Sequence, residues 1–319
     1  MSQVGGNTKK MQNIEMNRLF SFAALWLSMS LYALTPTQTV RLYPDGAPDS
    51  NGYTASDEHV ENETMIFQIA EPRLDIYQPD STPRGIILSI PGGAYLFVSS
   101  GNEGINVADF FVPRGYIVAV LKYRLPNRYE HIPLRDALQA MRILRDSAAV
   151  WQAPEAPIGV MGFSAGGHLA ASLLTHYTDA VTRPDYGVLV YPVISMDSTL
   201  THHDSCHRLL GEHPSDDQRN YWSCEKQVTS DTPLCLIVGC QDDPIVPIAN
   251  SIRFYEALTA HNVPSSLLIV PYGQHGWGFS IPFPYREHID QAILSFIAAH
   301  SISRTPNPEK KRPRGVFFV

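Results

Sequence analysis

Residues 162–168 read Gly162-Phe163-Ser164-Ala165-Gly166-Gly167-His168, and the reading of this stretch decides the fold. An apolar run, 156–161, leads into it, and a small-residue helical pattern, 169–174, leads away. A Gly-x-Ser-x-Gly pentapeptide between a buried strand and a helix makes a tight turn that pushes the serine hydroxyl out above the sheet edge. The flanking glycines are needed because the turn is strained and crowded by both elements. Alone, such a match is weak, and its bland alternative is a Gly-rich turn with an ordinary serine. Its weight comes from what else the chain brings to the same edge.

Working outward, apolar strand runs and helical patterns take turns. Strands are expected at 85–90, 116–121, 158–161, 187–191, 234–238 and 266–270, and helices at 102–112, 134–146, 248–260 and 288–299. In the second helix Leu134, Leu138, Met141 and Leu144 recur at helical spacing. Short continuous apolar strands alternating with helices mean a mostly parallel sheet covered on both faces, a doubly wound α/β domain over 64–300. Segments 65–69 and 74–77, around Pro72, alternate like edge strands. The Pro-, Gly- and Asp-rich residues 35–63 carry no period and read as an extended lead-in. Residues 195–232 form a polar excursion, a short roof over the carboxyl ends of the strands, where open α/β sheets bind ligands. The end of the chain, 301–319, with Lys310, Lys311 and Arg312, reads as a disordered basic tail.

A serine hydroxyl attacks only when a base takes its proton and an acid orients that base. In the elbow arrangement acid and histidine follow the serine in that order. Asp243 follows the strand 234–238, and His275, between Gly273 and Gly276, follows the strand 266–270. Asp243 is chosen over Asp242 because Asp-Pro-Ile-Val-Pro starts at it; Asp242 is the fallback, with a turn or capping role as its alternative. Of twelve histidines, only His275 combines a strand end with nearby glycines, whereas His168 is assigned to fixing its own turn through a backbone hydrogen bond. An oxyanion needs convergent backbone N–H groups. Ala165 supplies one, and Gly92 and Gly93, after the strand 85–90, are expected to supply the others. This chemistry requires no cofactor. His203 and His207, four apart, suggest a metal pair, but the glutamate of the HExxH pattern is missing, and no metal site is expected.

With 319 residues, 44% hydrophobic and 17% charged, the chain has the composition of one large globular domain. A net charge of -7 and a pI near 5.9 argue against a nucleic-acid partner. The apolar run 19–34 follows Lys9, Lys10 and Arg18 and gives way to polar residues, the order of a signal peptide. Residues 1–34 therefore read as a removed signal, whose first 15 residues resemble an over-extended start. Export to the periplasm or beyond follows, with no stable membrane partner once the signal is gone; the alternative is an uncleaved anchor. All four cysteines lie late in the chain. Cys235 and Cys240 flank one strand and sit too far apart to bond, so Cys206 with Cys224 is the pair left open, against four idle thiols.

Together, PGGAY (91–95), VADFFVPRGYIVAVLKYRLP (107–126), GFSAGGHLA (162–170), DDPIVP (242–247) and GQHGWGF (273–279) resemble the α/β-hydrolase superfamily. The likeness is nearest its secreted bacterial acetyl-esterase branch, which includes acetyl xylan and feruloyl esterases. EPRLDIYQPD (71–80), LLGEHPSDD (209–217) and EKQVTSDTP (225–233) are similar to that branch as well. The resemblance implies a secreted serine carboxylesterase removing acetyl groups from plant polysaccharide, with Ser164 as nucleophile, Asp243 as acid, His275 as base, and Gly92, Gly93 and Ala165 at the oxyanion site. Where many relatives read His-Gly-Gly-Gly, this chain reads Pro-Gly-Gly-Ala, and Ala94 and Tyr95 are expected to narrow the acyl pocket. Tyr95, Tyr123 and Arg124 are the expected substrate contacts; for the last two, an exposed loop is the alternative. The rival functions are an oligopeptidase-like serine hydrolase and a non-catalytic binding protein on the same fold.

Overall fold

The computed structural model describes residues 34–279 and 281–301. The expected signal and the basic tail therefore fall outside the described residues except for Leu34 and Ser301. The strands are β1 (Gln38–Arg41), β2 (His59–Glu61), β3 (Met65–Phe67), β4 (Arg73–Tyr77), β5 (Gly85–Ile90), β6 (Phe97–Ser99), β7 (Tyr116–Lys122), β8 (Ile158–Phe163), β9 (Tyr186–Val190), β10 (Cys235–Cys240) and β11 (Ser266–Val270). The helices are α1 (Asn106–Phe111), α2 (His131–Ser147), α3 (Ser164–His176), α4 (His203–Leu210), α5 (Asp216–Trp222), α6 (Ala249–Ala260) and α7 (Arg286–Ser301). Among the described residues no helix is long and apolar enough to cross a membrane.

Eight strands form one sheet in the order β1-β4-β7-β5-β8-β9-β10-β11, in which β4 pairs antiparallel with both neighbours and the others pair parallel. From β5 the chain crosses to β7 on one side and then returns to β8 on the other. That reversal opens a crevice at the carboxyl ends of β5 and β8, where Ile90 stands opposite Gly162. Every residue of β5, β7, β8, β9 and β10 is buried, which is why these strands read as continuous apolar runs. Side chains alternate between two cores. Ile86, Leu88 and Ile90 join one with Leu144, Leu169 and Phe254 from α2, α3 and α6; Ile87, Val118 and Met161 join the other with Phe111 from α1 and Ile293 from α7.

Three expectations need correction. The lead-in contains β1, which pairs with β4 and closes the sheet, so β4 is an internal strand and not an edge. It also contains β2, which joins β3 and β6 in a separate three-stranded sheet. Neither showed a period because β2 is wholly exposed and β1 nearly so. The roof is polar only on its outer side. Cys206, Leu209, Leu210 and Trp222 of α4 and α5 turn inward and are buried.

Candidate active site

The elbow forms because β8 ends at Phe163 and α3 begins at Ser164 with no intervening loop. Ser164 takes φ of 52°, a left-handed conformation that costs a non-glycine residue about 1–3 kcal/mol. The surroundings hold it there. The Ser164 carbonyl accepts Val193 N–H at 3.0 Å. A Cβ on Gly166 would collide with the carbonyls of Ile90 and Pro91, so only glycine lets α3 pack against the end of β5.

Loops after β10 and β11 bring two further groups to this serine. His275 Nε2 lies 2.9 Å from Ser164 Oγ, and Nδ1 lies 2.6 Å from Asp243 Oδ2. The other Asp243 oxygen accepts the N–H groups of Ile245 and Val246, both at 2.9 Å, which fixes the carboxylate's orientation. Its side chain is 2% exposed and that of His275 14%. Asp242 faces elsewhere: its Oδ1 accepts Gly273 N–H and Gln274 N–H, both at 2.9 Å, and so holds the histidine loop in shape. The adjacent aspartates thus divide the work, one gripping the imidazole and the other its loop.

The loop after β5 departs from expectation at one glycine. Gly92 N–H donates to Glu103 Oε2 at 2.7 Å, so it is not free to meet a substrate oxygen. Among the described residues no acceptor is found for the N–H groups of Gly93 and Ala94, and both residues line the cleft beside Ser164. The N–H groups left open beside the nucleophile on this loop are thus those of Gly93 and Ala94, and Ala94 takes a φ of 55°. The cleft is small, about 240 Å³, and Phe97, His202 and Ile245 complete its walls. Sequence reasoning missed Glu103, Asn102 and His202. The first two lie in a π-helical turn, Gly101–Ile105, where the sequence predicts ordinary helix over 102–112. His202 belongs to the polar roof; it bonds Ser205 Oγ at 2.8 Å, and burial lowers its pKa, favouring the neutral ring.

The BD-FAE family profile matches residues 74–258, more than half of the chain. The chain belongs to the BD-FAE family. Among curated proteins it is 34% identical to an acetylxylan esterase of Xylanibacter ruminicola over 88% of this chain and 55% of that one. It is 36% identical to endo-1,4-beta-xylanase B of Butyrivibrio fibrisolvens over 62% of this chain and 33% of that one. The chain thus spans about half the length, or less, of these curated relatives. Among solved structures, an acetyl ester-xyloside bifunctional hydrolase from Caldicellulosiruptor lactoaceticus superposes with a TM-score of 0.71 at 30% identity, covering 84% of this chain and 98% of that one. The carboxylesterase Cest-2923 of Lactobacillus plantarum shares the fold, with a TM-score of 0.61 at 19% identity over 76% and 96% of the two chains. The fold is accordingly that of the α/β hydrolases.

In this BD-FAE chain the three expected substrate contacts are committed to the framework. Tyr123 is fully buried and donates its hydroxyl to the Pro91 carbonyl at 3.0 Å, bracing the loop that carries Gly92 and Gly93. Arg124 is 1% exposed; its guanidinium forks onto Asp136 at 2.6–3.2 Å and reaches Asp49 at 3.0 Å. Tyr95 is buried and lies 2.7 Å from His168 Nδ1. His168 Nε2 contacts the Trp222 carbonyl at 2.8 Å, so its backbone partner belongs to the roof and not to its own turn. Burial lowers the His168 pKa to about 4, so the ring is neutral: Nε2–H donates to Trp222, and Nδ1 accepts from Tyr95. On the cysteine pair left open, the structure holds the alternative of unpaired thiols: Cys206, Cys224, Cys235 and Cys240 are all buried and free. Arg219 donates to Cys206 Sγ, while Cys224 packs beside Ser172. His203 and His207 do share α4, yet both are exposed, and among the described residues no cluster of three metal-ligating side chains occurs.

Proposed function

We propose that this chain is a serine carboxylesterase that removes short acyl groups, acetyl foremost, from carbohydrate such as acetylated xylan. The observation that carries this reading is the continuous hydrogen-bonded line Asp243–His275–Ser164, ending in a small cleft with free backbone N–H groups. Names among its relatives, acetylxylan esterase and acetyl ester-xyloside hydrolase, support acetylated xylan as the substrate.

In the first half-reaction Ser164 Oγ attacks the ester carbonyl while His275 Nε2 takes its proton. Asp243 holds the Nδ1–H and stabilises the imidazolium. The carbonyl oxygen, now anionic, receives hydrogen bonds from Gly93, Ala94 and Ala165 N–H. Collapse expels the sugar alkoxide, which leaves with the proton from His275, and the acyl group remains on Ser164. Water then attacks the acyl-enzyme with His275 again as base, releasing the carboxylic acid and restoring the hydroxyl. A cleft of about 240 Å³ lies below the range of drug-sized pockets and favours acetyl over long chains. The apolar run 19–34 supports export, where polymeric xylan would be met.

The test is hydrolysis of 4-nitrophenyl acetate, butyrate and octanoate by wild type and Ser164→Ala. The expected result is preference for acetate that vanishes in the variant, followed by acetate release from acetylated xylan. Preference for octanoate would redirect the reading to lipid esters. Turnover that survives Ser164→Ala would overturn it.

A further inference from the structure

We propose that Glu103 is a positioning residue of this site, its carboxylate pinning the oxyanion loop against the nucleophile and tying that loop to the histidine loop through Tyr191. The inference rests on the serine esterase reading above and goes beyond it, because the hydrolytic scheme assigns Glu103 no role.

Glu103 sits in the π-helical turn between β6 and α1 and is 4% exposed. Such turns place a side chain where a regular helix would not, and they recur at functional sites. Oε2 accepts Gly92 N–H at 2.7 Å, and Oε1 accepts the Tyr191 hydroxyl at 2.8 Å. The Tyr191 oxygen in turn accepts Gly278 N–H at 2.9 Å. One carboxylate therefore joins the loop after β5 to the loop after β11. Its neighbour Asn102 doubles the link, donating to the Gly276 carbonyl at 2.7 Å and accepting Phe279 N–H at 3.2 Å. Gly92 is thereby clamped from both sides. A Cβ there would lie 2.6 Å from the Phe163 carbonyl oxygen and 2.9 Å from Ser164 Cβ, so the backbone held by Glu103 abuts the nucleophile itself.

The hydrogen-bond pattern suits a charged carboxyl. Gly92 can only donate, and with the Tyr191 proton directed at Oε1 both carboxyl oxygens accept, the pattern of the ionised form. No Lys or Arg is paired with Glu103 among the described residues, and a buried carboxylate without a cation is costly. Burial raises its pKa, while Tyr191, Gly92 and the positive charge of protonated His275 act against that rise. The Tyr191 ring lies 4.6 Å from the His275 ring, so the Glu103 charge stands one residue behind the imidazole that becomes cationic during acyl transfer. The other titratable groups around it are Tyr123, His202 at the cleft wall, and Asp243 beyond His275; Arg286 acts on Tyr191. The fold retains a buried negative charge at the place where loop position and imidazolium stability both depend on it.

The decisive comparison is Glu103→Gln with wild type and Ser164→Ala, with kcat and KM measured separately on 4-nitrophenyl acetate. Glutamine keeps the volume, but its single oxygen cannot accept from both Gly92 and Tyr191. The expected result is a fall in kcat of about 10- to 100-fold, less than the roughly 100- to 1000-fold lost with an oxyanion donor itself because Glu103 acts through the loop, with KM changed less than about threefold. Rates are referred to sites titrated with a fluorophosphonate, so loss of folded protein does not count as loss of kcat. Tyr191→Phe, which spares the Gly92 bond, provides a milder second variant and is expected to lower kcat about three- to tenfold. An unchanged kcat in Glu103→Gln, beside an inactive Ser164→Ala, overturns the role of Glu103 alone. An active Ser164→Ala overturns the esterase reading and this inference with it.

Discussion

Two loops leave carboxyl ends of the same sheet, and their fates differ. The loop after β7 carries Tyr123, Arg124 and Asn127; the loop after β11 carries Gly273, His275 and Trp277. In the first, Arg124 is 1% exposed and neutralised by Asp136, which is itself fully buried. In the second, His275 is 14% exposed and keeps one nitrogen directed at Ser164. The placement rule for open α/β sheets brings side chains near the crevice, but it does not decide which of them face it. What separates them is the kind of partner the folded chain supplies. Arg124 is closed off by the buried Asp136 carboxylate, whereas one His275 nitrogen meets Asp243 and the other meets the nucleophile at the cleft.

That contrast can be broken most severely at the reacting residues. Ser164→Ala should lower kcat/KM by about 10⁵- to 10⁶-fold with little change in unfolding free energy, measured by 4-nitrophenyl acetate turnover and urea titration. Asp243→Asn should cost about 10⁴-fold, whereas Asp242→Asn, which loosens only the loop, should cost roughly tenfold or less. An equal loss in the two asparagine variants would refute their division of labour. At the β7 loop the effect should move from rate to stability. Arg124→Met strands the buried Asp136 carboxylate and should destabilise by about 3–5 kcal/mol in urea, while the folded fraction retains near wild-type kcat. A large kcat loss at unchanged stability would return Arg124 to the substrate. The smallest effect concerns His168. Its pKa of about 4 in the folded chain lies below the ordinary 6.5, so between those values the unfolded chain binds a proton that the folded one does not. Stability should therefore fall as pH drops from about 6.5 towards 4, by at most about 1.4 kcal/mol per unit from this group. His168→Gln should flatten that slope in urea titrations at pH 7.5 and 5; an identical slope in both proteins would show that His168 does not carry it.

The parts legible in the sequence were those in which one residue type serves one local need. The elbow glycines, the buried runs of β5 and β10, and the strand-end positions of Asp243 and His275 all follow from neighbouring residues. Three features depended on contacts that no local pattern encodes. Glu103 reaches Gly92 across 11 residues and Tyr191 across 88, so its assignment to a helix concealed its direction. Gly92 looked like a donor because it is a glycine beside a glycine, and only the packed structure shows its N–H already taken. The lead-in strands were invisible because exposed β2 offers no apolar alternation and β1 gains its place by pairing with β4.

The four thiols are distributed usefully. Cys206 and Cys224 lie under the roof, and Cys235 and Cys240 lie at the two ends of strand β10, one in from the sheet edge. All are buried, so a thiol reagent reaches each only when the structure around it opens. The molecule thus carries its own clock for two regions: modification of the first pair times the lifting of the cover, and modification of the second times the parting of the sheet. Rapid labelling under the roof beside a silent sheet would mean that the cover breathes independently, as a unit that opens while the frame beneath it stays shut.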